Sequence, residues 1–262
     1  MNQLSTPPLS SQRSAEKRSV PSSLVEDLDP DQVTDLVAAN RILAHYGIFD
    51  AYGHVSVRSR KNADRYLMTR YMAPSLVTEA DITVYDLDSK PLDPGITRSF
   101  SERFIHGEIY RARPDVMAVV HNHSPGVIPF SLSDKPLLPV MHMGAFLRGG
   151  VPVYDSAKYF PDADMMVRNP EGGRALAQVL GKKSAALMCC HGIVIAANNL
   201  RLATARSYYA EVNAKAQAQA MALGGTVRSL TENEARNAEA AVSGPPQIDR
   251  AWDLWVLESM RK

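Results

Sequence analysis

The sequence predicts an α/β domain, and two observations carry that expectation. Short apolar or alternating runs of strand length (His54–Arg58, Tyr66–Thr69, Ile82–Leu87, Val116–His121, Ser184–Cys190) alternate with stretches of helical periodicity (Val33–Ala44, Ser99–Tyr110, Leu200–Gly224). Between residues 52 and 88 the strand-like runs follow one another through tight polar links, the pattern of an antiparallel portion of sheet. No repeat marks a boundary, and 262 residues suffice for one large domain with a sizeable core.

Residues 1–23 are rich in Ser, Pro, Gln and charge without periodicity and are expected to form a flexible tail. The main domain is expected over residues 24–243. Asp29-Pro30 opens its first helix, an acid at the cap and proline at the first helical position, and Gly47 stops it. Ser99-x-x-Glu102 reads as a capping box before the helix through Phe104, Ile105 and Tyr110, which Arg113-Pro114-Asp115 ends. Leu200–Gly224 is expected to be a long helix, with Leu202, Tyr209, Val212, Ala216, Ala220 and Leu223 along one face. After Gly244-Pro245-Pro246, a C-terminal helical segment (244–262) carries Trp252 and Trp255. It is expected to dock on the body or on a neighbouring subunit, with a lid as the alternative, because so short a helix cannot order itself.

Lys and Arg number 29 against 28 Asp and Glu, which argues against nucleic acid or an anionic membrane surface as a partner. No apolar stretch approaches a membrane span, and the N-terminus lacks the apolar middle of a signal peptide. Cys189 and Cys190 are adjacent within an apolar run, so they read as free thiols in a core strand and in a reducing, cytoplasmic setting.

The chemistry gathers at the ends of two runs. Val116–Val120 stops at His121-Asn122-His123, and the two-residue period of a strand turns both imidazoles to one side. Ser184–Cys190 stops at His191, followed by Gly192, which is expected to supply a turn that exposes the imidazole. Three imidazoles from two strand ends match an open metal site that keeps a position for water or substrate. Glu102 has two readings on sequence: a helix cap, or a carboxylate placed to touch the metal or shuttle a proton.

Gly53-His-Val-Ser-Val-Arg58, Ser99-x-Ser-Glu102-x-x-x-His106, Arg113-Pro-Asp-Val-x-Ala-Val-Val-His-x-His123 and His191-Gly192 closely resemble, in order, the class II aldolase/adducin family. The resemblance covers about residues 30–230. It implies a three-layer α/β/α sandwich with a largely antiparallel central sheet, and a homotetramer with metal sites near subunit interfaces. It also implies one divalent metal per subunit held by His121, His123 and His191, with Glu102 as a further ligand or as the acid/base. Zinc and manganese lead as the metal, with iron possible.

Where sugar-phosphate aldolases of the family carry Gly-Asn, Thr-Pro-Ser-Gly and Ser-Ser, this chain reads Gly53-His54, Ala73-Pro74-Ser75-Leu76 and Phe100-Ser101. The phosphate reading therefore loses ground to a flat, partly apolar substrate against which Phe100 stacks. Together with Glu102-Arg-Phe-Ile-His-Gly-Glu108 and Met141-His-Met-Gly-Ala-Phe146, the wording is similar to that of the family's decarboxylases of hydroxylated aromatic or ring-cleavage acids. The resemblance implies a carbon–carbon lyase acting through a metal-stabilised enolate on a small carboxylic acid. Arg103, His54 and His142 are candidates for holding carboxylates, and Ser101 and Ser75 for further substrate contacts. An aldolase, epimerase or dehydratase of sugars, and a non-catalytic adducin-like assembly domain, are the alternatives.

Overall fold

In the computed structural model, Asp29 accepts the Gln32 N–H at 3.1 Å and Pro30 takes the first helical position, opening helix α1 (Pro30–His45). Residue 26, residues 28–162 and residues 164–261 are described; the tail expected over 1–23 lies outside them. The chain then runs through β1 (His54–Arg58), β2 (Arg65–Thr69), β3 (Ile82–Asp86), α2 (Arg103–Ala112) and β4 (Ala118–Asn122). It continues with β5 (Val153–Tyr154), α3 (Pro170–Leu180), β6 (Ala185–Met188), β7 (Gly192–Ala197), α4 (Leu200–Ala222), α5 (Glu232–Val242) and α6 (Pro245–Ser259).

The seven strands form one sheet in the order β3-β2-β1-β4-β7-β6-β5, antiparallel at every step except the short β5–β6 pair. Strand alternation sorts its side chains onto two faces. Val55, Val57, Ala118, Val120 and Ile195 join a core with α1, α4 and α6. Met68, Val119, Val194 and Ala196 join a second core with Ile105 and Ile109 of α2 and Leu176 and Leu180 of α3. The sheet is thus covered on both faces, the three-layer α/β/α arrangement. His54, Ser56 and His121 share the parity of Val119 and turn toward α2.

Four sequence expectations need correction. The capping box at Ser99 does not form: α2 begins at Arg103 and Glu102 is its first flanking residue, with no side-chain cap, while Ser99 Oγ takes the Tyr85 hydroxyl at 3.0 Å. Strand β6 ends at Met188, so Cys189 and Cys190 lie in the β6–β7 turn, half-buried and exposed, not in the core. The left-handed turn residue is Cys190, at φ 57°; Gly192 is already in β7. Glycine is required there for space, since a Cβ would lie 2.1 Å from the Asn122 carbonyl oxygen. On α4 Leu202 of the expected face is buried, but the burial continues along Ala203, Ser207, Ala210 and Ala214, whereas Leu223 is exposed.

Polar residues of α4 hold the long connection after β4. Glu211 accepts the Gly126 N–H, Asn213 spans the Val140 N–H and the Leu138 carbonyl, and Gln217 spans the Leu138 N–H and the Pro136 carbonyl. These bonds satisfy backbone groups that burial would otherwise leave unpaired. Helix α6 docks on the body: Trp252 and Trp255 are buried, and Trp255 packs 5.2 Å from Tyr208 and 5.9 Å from Tyr46 between ring centroids. Among the described residues, no helix is long and apolar enough to cross a membrane.

Candidate active site

The antiparallel register brings the start of β1, the end of β4 and the start of β7 to one end of the sheet. His54 pairs with His121, and Asn122 pairs with Ile193, just past Gly192. The close approach that excludes a Cβ at Gly192 lets the β6–β7 turn carry His191 against His123. His123 Nε2 consequently lies 3.1 Å from His121 Nε2 and 3.2 Å from His191 Nε2. Glu102 Oε2 lies 3.6 Å from His121 Nε2 and 3.5 Å from His191 Nε2. One ligand atom from each of these four residues falls within 4.8 Å of every other.

The far nitrogens of the rings explain what the near ones are for. His121 Nδ1 faces the Ile193 carbonyl at 3.2 Å, His191 Nδ1 faces the Met165 carbonyl at 3.1 Å, and His123 Nδ1 faces Asp50 Oδ2 at 3.1 Å. A carbonyl or ionised carboxylate only accepts, so each neutral ring carries its proton on Nδ1. All three Nε2 lone pairs then point inward at one another with no proton between them. A divalent cation resolves that conflict. Metal–nitrogen bonds of about 2.0–2.1 Å at tetrahedral angles place ligand atoms about 3.3–3.4 Å apart. The four separations of 3.1–3.6 Å fit that requirement, and the remaining pairs lie within 4.8 Å.

Electrostatics agree with this donor set. Burial pushes the Glu102 carboxyl up, while positive charge on His121 and His191 and the Val167 N–H bring it down to about 2; with the rings neutral, a bound cation would supply that charge in their place. The Val167 N–H donates to Glu102 Oε1 at 3.0 Å, which fixes that oxygen and leaves Oε2 toward the imidazoles. Burial and the neighbouring His121 depress His123, and burial, partly opposed by Glu102, depresses His191, which keeps both rings neutral.

A cavity of about 530 Å³ opens on the cluster, with His123, His191 and Glu102 in its wall. His54, Phe100 and Ser101 also line it. Tyr71, Phe100, His54 and His121 form a staircase of rings with successive centroids 5.4, 5.0 and 5.1 Å apart. Behind His54 runs a buried polar chain: His54 Nδ1 to His106 Nε2 (2.7 Å), His106 Nδ1 to Ser56 Oγ (2.6 Å), and Ser56 Oγ to the Tyr110 hydroxyl (2.8 Å). Burial first, then the neighbouring histidines, lowers His54 well below the usual imidazole range, so a neutral ring faces the cavity.

Three candidates from the sequence are not in the cavity wall. Arg103 donates to the Ser89 and Phe100 carbonyls at 2.8 and 2.9 Å and stacks on Phe104, so its guanidinium holds the start of α2 in place. His142 is exposed at the head of the turn His142–Leu147, and Ser75 is exposed in the turn Pro74–Leu76, where Ala73 is the cavity residue instead. Conversely, Asp50, Tyr71, Met166 and the chain through His106 carried no role in the sequence reading. His106 stood in a motif, but nothing in the spacing tied it to His54. Asp50 and Met166 reach the site from loops.

A sequence profile described as the Class II Aldolase and Adducin N-terminal domain matches residues 34–218, and the chain belongs to this family. It is 31% identical over 249 residues to the decarboxylase tropJ of Talaromyces stipitatus, spanning 86% of this chain and 93% of that protein. It is also 31% identical over 216 residues to a 3,4-dihydroxyphthalate decarboxylase of Arthrobacter keyseri, spanning 76% of this chain and 82% of that one. Among solved structures, an aldolase II superfamily protein from Pseudomonas syringae shares the fold, with a TM-score of 0.75 over 90% of this chain and 96% of that one at 21% identity.

Proposed function

We propose that the protein is a divalent-metal-dependent lyase that decarboxylates a hydroxylated aromatic or ring-cleavage-derived carboxylic acid. The observation that carries this reading is the convergence of three Nε2 lone pairs and the Glu102 carboxylate on one point in the wall of an aromatic cavity. His121, His123 and His191 would hold the ion, zinc or manganese in the first instance, with Glu102 beside it. When bound, the cation supplies Lewis-acid charge for a substrate oxygen.

The remaining steps belong to the chain's own groups. Phe100 and Tyr71 give a flat ring a wall to lie against, and that apolar surface favours loss of a charged carboxylate as neutral carbon dioxide. Glu102, ionised and fixed through Oε1, accepts the proton of the substrate hydroxyl at Oε2. The carbon–carboxylate bond breaks, carbon dioxide leaves, and its electron pair stays on the ring carbon. Glu102 then returns its proton to that carbon. The exposed Arg98, stacked 3.9 Å over the ring of the cavity residue Tyr71 and without an ion pair among the described residues, would take a retained carboxylate that reaches past Tyr71.

The named activities of the two relatives support this reading. The aromatic wall, in place of a cradle of small residues, argues against a sugar phosphate. We place the protein in the cytoplasm, on its two free thiols, and as a homotetramer, with Tyr52 (66% exposed at the cavity lip) near a neighbouring subunit. Light scattering tests the assembly. The function is tested by incubating metal-loaded protein with hydroxylated aromatic mono- and dicarboxylates and with ketose phosphates, following released carbon dioxide. Glu102→Gln is expected to lose about 10²–10⁴-fold in kcat. Turnover of ketose phosphates alone, or full activity in Glu102→Gln, overturns the reading.

A further inference from the structure

We propose that Cys189 and Cys190, the second of which lines the cavity, form a dithiol site that captures trivalent arsenic as a cyclic dithioarsenite. The two sulfurs lie 3.8 Å apart, and Cys190 lines the cavity next to His191. Their placement is built into the turn. The Cys189 N–H donates to the Tyr154 carbonyl at 2.8 Å, the Cys190 N–H to Ser131 Oγ at 3.2 Å, and the His191 N–H to the Met188 carbonyl at 3.1 Å. The Cys189 thiol donates to the Ser131 carbonyl at 3.5 Å. Cys190 is held at φ 57°, a left-handed conformation that disfavours a non-glycine residue and that the surrounding bonds enforce.

The geometry favours a bridging atom over a direct sulfur–sulfur bond. Neighbouring Cα atoms sit about 3.8 Å apart across a trans peptide, below the roughly 4.4 Å lower limit for an ordinary disulfide. Drawing sulfurs from 3.8 Å to about 2.05 Å would strain the turn that carries His191. A soft atom inserted between the two thiols makes two bonds and leaves the sulfurs near their present separation. With phenylarsine oxide the reaction balances without any change of oxidation state. Two S–H bonds break, two As–S bonds form, and the arsenical oxygen leaves as water with both protons. Because Cys190 faces the cavity, the adduct fills space beside His191.

These are the chain's two cysteines, so the assignment is unambiguous. Metal-loaded protein is treated with one equivalent of phenylarsine oxide and followed by intact mass. The expected result is one phenylarsenic group gained for two hydrogens lost. Excess 2-mercaptoethanol should leave the adduct in place, and 2,3-dimercaptopropanol should remove it. Cys189→Ser and Cys189→Ala, folded by circular dichroism, are expected to lose their adduct to 2-mercaptoethanol. Absence of an adduct overturns the proposal, as does one that 2-mercaptoethanol strips equally from wild type and variants.

Discussion

Asp50→Asn tests the proton arrangement on which the proposed metal site depends. Asp50 Oδ1 accepts the Tyr52 and Gly53 N–H groups at 2.7 and 3.0 Å, while Oδ2 faces His123 Nδ1 at 3.1 Å. Burial raises this carboxyl, but the bonds from Tyr52, His123 and Gly53 outweigh it and lower its pKa. In the asparagine variant the amide oxygen must stay with the two N–H groups, so the NH₂ takes the place of Oδ2. An NH₂ only donates; His123 Nδ1 must then accept, and the ring's proton moves to Nε2, where it points at the other imidazoles. Loss of such an orienting partner costs about 10–100-fold in metal affinity, or about 1.4–2.7 kcal/mol. The Asp50 side chain is 49% exposed, so water can replace part of the lost acceptor and the lower end of the range, about tenfold, is expected. The turn keeps its two backbone bonds, so the metal-free melting temperature should barely move. Competition with a chelator for zinc and for manganese reads the affinity directly. Unchanged affinity in a variant with an unchanged metal-free melt would refute the tautomer assignment.

Other expectations follow from the same geometry. Gly192→Ala drives a Cβ to 2.1 Å from the Asn122 carbonyl oxygen and 3.2 Å from His123 Cα. Overpacking against backbone should cost about 3 kcal/mol and roughly 6–12 °C in Tm, with loss of bound metal; calorimetry and metal analysis check both. His106 is depressed to about 3, by burial first and then by His121, against about 6.5 unfolded. Between those values the unfolded chain binds a proton that the folded one does not, so stability falls with falling pH by up to about 1.4 kcal/mol per unit. His106→Gln should remove that part of the slope in metal-free protein; an identical slope in denaturant melts counts against it. Arg98→Met should raise KM about tenfold for aromatic dicarboxylates and leave monocarboxylates unaffected, measured by steady-state kinetics; equal effects on both would remove Arg98 from the site.

The sheet was legible because its strands are short runs buried on both faces and its helices carry punctuation. Asp29-Pro30 and the apolar runs ending at His121 and His191 are local signals that packing had no reason to override. The capping box at Ser99 failed because Glu102 turns away from the helix terminus: its Oε1 takes the Val167 N–H and its Oε2 joins the imidazole cluster. Arg103 misled for a related reason, since a cation beside Glu102 in sequence leaves on the other side of the chain and binds carbonyls. Asp50 and Met165 were invisible because their roles arise only where loops return to the sheet. The stripe on α4 was only partly legible because, past Leu202, its buried residues are small or polar, and Asn213 and Gln217 answer to backbone groups of another segment.

The division of labour within the cluster follows from which parts of the fold can hold a position. His121 stands on β4, between β1 and β7 near the middle of the sheet, and is fully buried, with its Nδ1 proton taken by a carbonyl of the adjacent strand. Nothing about that ring depends on a loop. His123 and His191 are half-buried and take their orientation from Asp50 and from the Met165 carbonyl, both in connecting segments. Glu102 likewise owes its fixed oxygen to Val167, two residues from Met165. The segment carrying Met165 and Val167 therefore orients one imidazole and the carboxylate at once, and the turn at Asp50 orients another. A strand supplies the fixed point of the site, and two loops, each tied by hydrogen bonds to a group that faces the cavity, set the rest of the geometry around it.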